Sequence, residues 1–269
     1  MLDMQWILAY LMLGLFVGYF SGLLGIGGGL IMVPVFTFMS EVQHIPANNI
    51  LHLALGTSMA TILFTSISSA WQHHVHKAVN WHTVIYITPG ILLGTALGAF
   101  IIGFVSTFYI TIFFVLFVYF SATQMLVGFK PEATRDYPGR IEVTLAGMAI
   151  GAVSSIVSIG GGVLSVPYLV WHRLPIRGAI ATAAAIGFPI AVGGTLGYIV
   201  TGLYRGVDLP AGSLGYVQLP VLLWMVIGTV MTAPFGAKAT HRMPIEKLRK
   251  IFALVLFVLA TKMLFKLFA

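Results

Sequence analysis

The chain has no cysteine. Disulfides, thiolate metal sites and a thiol nucleophile are therefore excluded, and so is a carrier that hands sulfur along a cysteine relay. Charge is almost as scarce, at 8% of the 269 residues. A soluble domain carries about 25% charged residues, so this chain cannot cover a water-facing surface. The acids are Asp3, Glu41, Glu132, Asp136, Glu142, Asp208 and Glu246, and all fall in loops or at the ends of apolar runs. With no carboxylate in the middle of an apolar segment, a buried acidic proton relay or a sodium site is not expected.

Hydrophobic residues supply 59% of the chain. Ten apolar segments stand out: Trp6–Leu24, Leu30–Met39, Asn48–Ala70, Thr83–Phe104, Thr107–Gly128, Ile141–Ile159, Val163–Trp171, Gly178–Thr201, Tyr216–Ala237 and Leu248–Phe268. A spanning helix needs about 20 mostly apolar residues. The second and seventh segments are too short, and read as half-helices, re-entrant segments or continuations of the helix before them. Before the first run there is only Asp3 and no Lys or Arg, and no small-residue cleavage site follows. It reads as a retained helix rather than a signal peptide. Trp6, Trp71, Trp81 and Trp171 lie at segment ends, as an aromatic belt requires, while Trp224 does not.

The net charge of +7 would suit a nucleic-acid binder, but the basic residues are spread over short loops. That distribution fits the positive-inside bias instead, and no nucleic-acid partner is expected. The expected partners are the lipid bilayer and a small anionic substrate, and a homo-oligomer stays open.

The chain is a duplication. The stretch GYFSGLLGIGGGLIMVP, Gly18 to Pro34, aligns without a gap on GAVSSIVSIGGGVLSVP, Gly151 to Pro167, at a constant offset of 133. SATQML from Ser121 also matches LATKML from Leu259. Five segments per half is an odd number, so the second half should be inverted relative to the first. Lys77, Lys130, Arg135, Arg140, Arg173, Arg177, Lys238, Arg242, Lys247, Arg249 and Lys250 mark four loops as cytoplasmic. Ten crossings thread through those loops with both termini outside. The expected fold is an all-α polytopic membrane protein of two inverted repeats with eight to ten transmembrane helices. Residues 1–128 and 141–269 form the repeats, and 129–140 a cytoplasmic connector, within one integrated transport domain. Inverted repeats place a transport site near midplane, where broken helices meet.

The motif that carries chemistry is the pair Gly25-Ile26-Gly27-Gly28-Gly29 and Ser158-Ile159-Gly160-Gly161-Gly162. Each glycine costs roughly 0.8–1 kcal/mol relative to alanine inside a helix. An unwound loop opening a half-helix explains the triplets better, because its bare N–H groups and the positive helix end make an anion site. Close helix packing through small residues is the alternative use of glycine. No Gly-Lys-Ser/Thr follows, so nucleotide binding is unsupported. The substrate-binding residues expected are Gly27, Gly28, Gly29, Gly160, Gly161 and Gly162, with hydroxyl donors from Ser21, Ser154, Ser158, Ser165, Thr57, Ser58 and Thr182. Each hydroxyl could instead bond its own helix's carbonyl four residues back.

His73-His74-Val75-His76 looks like a metal motif but has no carboxylate or fourth ligand near it, and reads as an interfacial loop. No metal and no cofactor are expected. His52 is either a proton carrier or a hydrogen-bonded histidine near the interface. Lys262 replaces Gln124 of the first repeat, and either snorkels to the headgroups or attracts an anion at the exit.

Together the glycine motifs, the duplication and the length resemble the sulfite exporter TauE/SafE family of membrane permeases, over essentially the whole chain. GIGGGLIMVP (Gly25–Pro34) and SIGGGVLSVP (Ser158–Pro167) carry the resemblance. Ser158 departs from the glycine at the matching place in the first repeat and adds a hydroxyl. The resemblance implies a bacterial inner-membrane transporter of sulfite, a sulfonate or a related organosulfur anion. The residues themselves imply only a small anion. Export needs the least coupling, since an anion leaving a negative interior gains about 2.3 kcal/mol per 100 mV. A channel would show currents without exchange, and a scaffold would not need the glycine loops. An enzyme would need a nucleophile–base or metal set at depth, and the sequence offers none.

Overall fold

A computed structural model describes residues 3–43, 49–128, 135, 138–240 and 245–268. The connector between the halves lies mostly outside the described residues, as do Asn48, Lys130, Glu132, Asp136 and Arg242.

Among the described residues ten helices follow one another: α1 (Met4–Leu24), α2 (Gly29–Val42), α3 (Ile50–Val75), α4 (Trp81–Ile102), α5 (Thr107–Val127), α6 (Arg140–Val157), α7 (Gly162–Trp171), α8 (Ile176–Arg205), α9 (Leu219–Thr240) and α10 (Ile245–Phe268). Seven of them, all but α2, α7 and α10, are long and apolar enough to cross a membrane. The fold is therefore an all-α polytopic membrane fold. At 1.5 Å per residue, α2 reaches about 21 Å and α7 about 15 Å, against a hydrocarbon core of about 30 Å. Both are half-helices, and neither continues the helix before it.

Three segments differ most from the sequence reading. The third segment runs on to Val75, so His73 and His74 belong to the last turn of α3 and not to a loop. His73 is fully buried. Imidazoles count as polar in a hydropathy reading, so the helix seemed to stop at Ala70. Tyr216, taken as the start of the ninth segment, lies instead in a small hairpin, β1 (Ser213–Leu214) paired antiparallel with β2 (Val217–Gln218). The eighth segment extends at both ends, to Ile176 and Arg205.

The packing follows a pattern. α1 lies on α9, and α6 on α4; α3 lies on α9, and α8 on α4; α2 lies on α3, and α7 on α8. Exchanging each helix for the one five places along turns one member of each pair into the other. Two further large interfaces, α3 on α8 and α5 on α10, map onto themselves. α3 and α8 run antiparallel, because Gly194 meets Met59 while Gly187 meets Ser66. α5 and α10 are also antiparallel: Tyr119 stands 5.6 Å from the Phe257 ring, and Gln124 shares a cavity with Arg249.

Small residues set the outer interfaces. Gly14, Gly18 and Gly22 of α1 face α9, and Gly90, Gly94 and Gly98 of α4 face α6, each at a four-residue spacing. A methyl group on Gly22 would fall 2.0 Å from the Ala233 carbonyl oxygen, and one on Gly90 would fall 1.8 Å from that of Thr144. Backbone against backbone is how helices associate in lipid, where the hydrophobic effect between them is lost. The close-packing use of glycine is thus real here, at positions other than the triplets. The central helix α3 is buried along most of its length, whereas Leu93, Leu116, Leu145 and Val258 of the outer helices are exposed. Exposed apolar side chains on that scale suit a hydrocarbon surround.

Candidate functional site

Both triplets break the chain. α1 ends at Gly25, whose left-handed φ of 69° lets its N–H reach the Ser21 carbonyl at 2.8 Å. α6 ends in the same way at Ser158, φ 54°, whose N–H reaches the Ser154 carbonyl. A left-handed residue closing a helix is the usual C-cap, and glycine is its natural occupant. Ser158 pays for the position with about 1–2 kcal/mol of backbone strain. In return its hydroxyl donates to the Leu55 carbonyl of α3 at 2.8 Å.

Gly28 and Gly161, at φ 83° and 86°, are the N-caps of α2 and α7. Gly29 and Gly162 are the first residues of the two half-helices. Four N–H groups at each helix start have no partner in their own helix, so each loop presents amides and the positive end of a helix dipole.

The loops cross one another. The Gly160 N–H donates to the Ile26 carbonyl at 2.7 Å. A methyl group on Gly27 would sit 2.6 Å from the Gly160 backbone, one on Gly29 would sit 1.5 Å from the Ser158 oxygen, and one on Gly162 would sit 2.4 Å from the Gly25 oxygen. The last two contacts are the same contact seen from the two repeats, since 29 pairs with 162 and 25 with 158 at the offset of 133. Only backbones without side chains can approach this closely.

Beside the crossing lies a cavity of about 10 Å³, lined by Ser21, Gly25, Gly27, Ile62, Ser66, Ser69, Gly160, Ala184 and Gly187. That is about the room one water needs. Of the residues expected from sequence, Ser21, Gly27 and Gly160 line this cavity directly. Ser66 and Ser69 of α3 line it too and were not foreseen. Ser69 is buried, and its hydroxyl has no partner. The signal that could have found both is the run Thr57, Ser58, Thr61, Thr65, Ser66, Ser68 and Ser69, seven hydroxyls on one helix.

The other expected donors are spread around the crossing. Ser154 and Ser165 are buried without hydroxyl partners, and the Ser165 oxygen lies beside Gly161, 3.2 Å from where a side-chain carbon would start. Ser58 is likewise buried and unpartnered. Thr57 and Thr182 have a different task. The Thr57 hydroxyl accepts the Gln218 N–H at 3.0 Å, and the Thr182 hydroxyl accepts the Asn80 N–H at 3.0 Å. Each fixes the turn leading into the helix after it, α9 and α4 respectively. The exposed Lys262 has its ammonium 3.3 Å above the Phe38 ring of α2, and Lys266 of the same helix pairs with Glu41. At the end of α7 the corresponding restraint is Arg135, which stacks on Trp171 and bonds Glu142 at 3.2 Å.

Helices of membrane length, two half-helices opening from crossed unwound loops, and a small cavity at the crossing define a multi-pass membrane transporter. The description of the sulfite exporter TauE/SafE family matches residues 10–263, and the chain belongs to that family. It is 34% identical over 261 residues to a probable membrane transporter protein of Haemophilus influenzae, covering 97% of this chain and 98% of the relative. A probable membrane transporter protein of Methanocaldococcus jannaschii is 26% identical, with 94% of each chain covered. The probable membrane transporter protein YunE of Bacillus subtilis is 23% identical over 94% of this chain and 96% of its own. No solved structure matches.

Proposed function

We propose that the protein is a secondary transporter, working as an exporter, of a small sulfur-containing anion such as sulfite or an organosulfonate, in a bacterial inner membrane. The observation that carries this reading is the crossing of the two glycine loops, each at the N-terminus of a half-helix. Two positive helix ends and their amides converge from the two halves of the chain on one place inside the bundle. A bound oxyanion there takes donors from the loops and from Ser21 and Ser69, while Ser66, whose hydroxyl donates to the Leu63 carbonyl, lines the wall. The match to the sulfite exporter TauE/SafE family supports the sulfur class of substrate.

The halves, 1–128 and 141–269, act as inverted repeats around this site. The antiparallel course of α3 against α8 and of α5 against α10 supports inversion, and so do the loop charges. Rocking of one repeat against the other would open the cavity to one side at a time. The substrate is driven outward by the membrane potential, so no bound cofactor or second ion is required.

The test is uptake of labelled sulfite, methanesulfonate and chloride into proteoliposomes, with and without an imposed potential. Saturable flux of the sulfur oxyanions, accelerated by a positive potential on the receiving side, is the expected result. If no anion moves saturably under any condition, the assignment fails.

A further inference from the structure

A second polar cluster lies at the end of the bundle where α3 begins. It is built by the first turn of α3, the ends of α4 and α8, and the β1–β2 hairpin. The His52 ring stacks on the Tyr216 ring with centroids 5.0 Å apart, and its Nε2 donates to the Ile102 carbonyl at 3.2 Å. A carbonyl only accepts, so the proton of the neutral ring is on Nε2 and Nδ1 keeps its lone pair. Arg205, exposed at the end of α8, donates to the Gly103 carbonyl and lies over the Phe104 ring. Its positive charge also reaches the Tyr216 hydroxyl, which meets no partner at hydrogen-bond geometry.

Three polar atoms here are buried and unpartnered: Tyr216 Oη, His52 Nδ1 and Gln218 Oε1. Each such atom costs roughly 1–3 kcal/mol in a folded chain, and three in one cluster call for an explanation. The opposite end of the bundle is built from the equivalent turn, with Asn80 in place of Gln218 and Thr182 in place of Thr57. There the Asn80 side chain is used within its own turn, capping Thr83 at 3.1 Å. The cluster at the α3 start is thus not a fixed need of the fold.

We propose that this cluster is a docking site for a small oxyanion at the mouth of the transport path, separate from the crossing of the glycine loops. Arg205 supplies the charge and Tyr216 a hydroxyl donor, and His52 positions Tyr216 by stacking on it. The first turn of α3 adds the positive end of its dipole. His52 Nδ1 and Gln218 Oε1 are acceptors, which suits an oxyanion that still carries a proton, such as hydrogensulfite. Asp208 is exposed in the turn after α8, three residues from Arg205. Weak holding is what a mouth requires, since the ion must move on. The loop charges place this mouth outside, so an exporter would use the site for release.

This inference rests on the reading of the protein as an anion transporter. Its test is the concentration dependence of sulfite transport with the ion presented on either face of oriented proteoliposomes. Tyr216→Phe removes a hydroxyl that meets no partner at hydrogen-bond geometry and leaves Arg205 in place, so it tests the site without unsettling the turn. Half-saturation for sulfite on the α3-start face should rise by several-fold to about tenfold, with the maximal rate kept and the other face unchanged. Arg205→Gln should do the same, by roughly tenfold or more. Half-saturation that stays put in Tyr216→Phe, or moves equally on both faces, overturns the docking site while leaving the transporter reading intact. Absence of saturable flux in the unaltered protein removes both.

Discussion

Ser158 shows how a single residue can serve two demands. It occupies a left-handed position where the matching residue of the first repeat is Gly25, and its hydroxyl is spent on the Leu55 carbonyl. Ser158→Ala keeps the strained backbone and loses the bond, so the protein should lose about 1 kcal/mol of stability. Ser158→Gly also loses the bond but relieves the backbone, and should lie closer to the original. Thermal unfolding in detergent ranks the two, and a serine indifferent to both changes would mean that the bond contributes nothing. Sequence reading found the break at this residue because a triple glycine is costly in a helix. It did not find where the hydroxyl points, because that depends on α3, which lies more than a hundred residues away.

The same limit applies to Thr57 and Thr182. As hydroxyls flanking the motifs they looked like ligands, yet both hold the amide of an incoming turn. Ser66 and Ser69 were passed over because they stand far along the chain from any glycine triplet. Only the crossing of α3 past the loops brings them to the cavity.

Elements were legible wherever hydropathy alone decides them. Ten apolar segments became ten helices, and the two short ones are the half-helices α2 and α7. Less legible was which glycines pack and which unwind. The four-residue spacing of Gly14, Gly18 and Gly22, and of Gly90, Gly94 and Gly98, marks packing faces, while the consecutive triplets mark breaks. Gly22→Ala should force α1 away from α9 and destabilise the protein by about 1–3 kcal/mol. Gly178, in α8, has only the Ala78 oxygen at 3.7 Å from an added methyl group. Gly178→Ala should therefore be neutral, or stabilising by up to about 1 kcal/mol. Unfolding midpoints of the two variants check the distinction, which fails if both fall alike. Gly29→Ala is a harsher change, because its methyl group would meet the Ser158 carbonyl. Transport in that variant should be lost even where folded protein is recovered, and normal transport would show that the crossing can loosen without consequence.

At the scale of the whole molecule the duplication becomes a packing rule, with the major helix contacts of one half answered in the other. Repeat and offset were visible in the sequence, but the partners were not, since apolar helices without a buried charge carry little information on which neighbour they meet. The chain's lack of cysteine makes the proposed inversion testable. Lys77 follows the end of α3 and Asp208 the end of α8, and these helices run antiparallel. A membrane-impermeant thiol reagent applied to intact cells should therefore reach Asp208→Cys but not Lys77→Cys. Labelling of both from one side would contradict the arrangement.

The claim beneath all of this is that the small cavity at the loop crossing is where an anion is held. Ser69 is its most direct probe, being buried, unpartnered and free of any role in a turn. The deciding measurement is the initial rate of labelled sulfite transport against concentration in proteoliposomes, for the unaltered protein and for Ser69→Ala. Saturation is expected in the first, and in the second a half-saturation raised about tenfold with unfolding temperature unchanged. Sulfite transport that saturates identically in both would place the ion elsewhere.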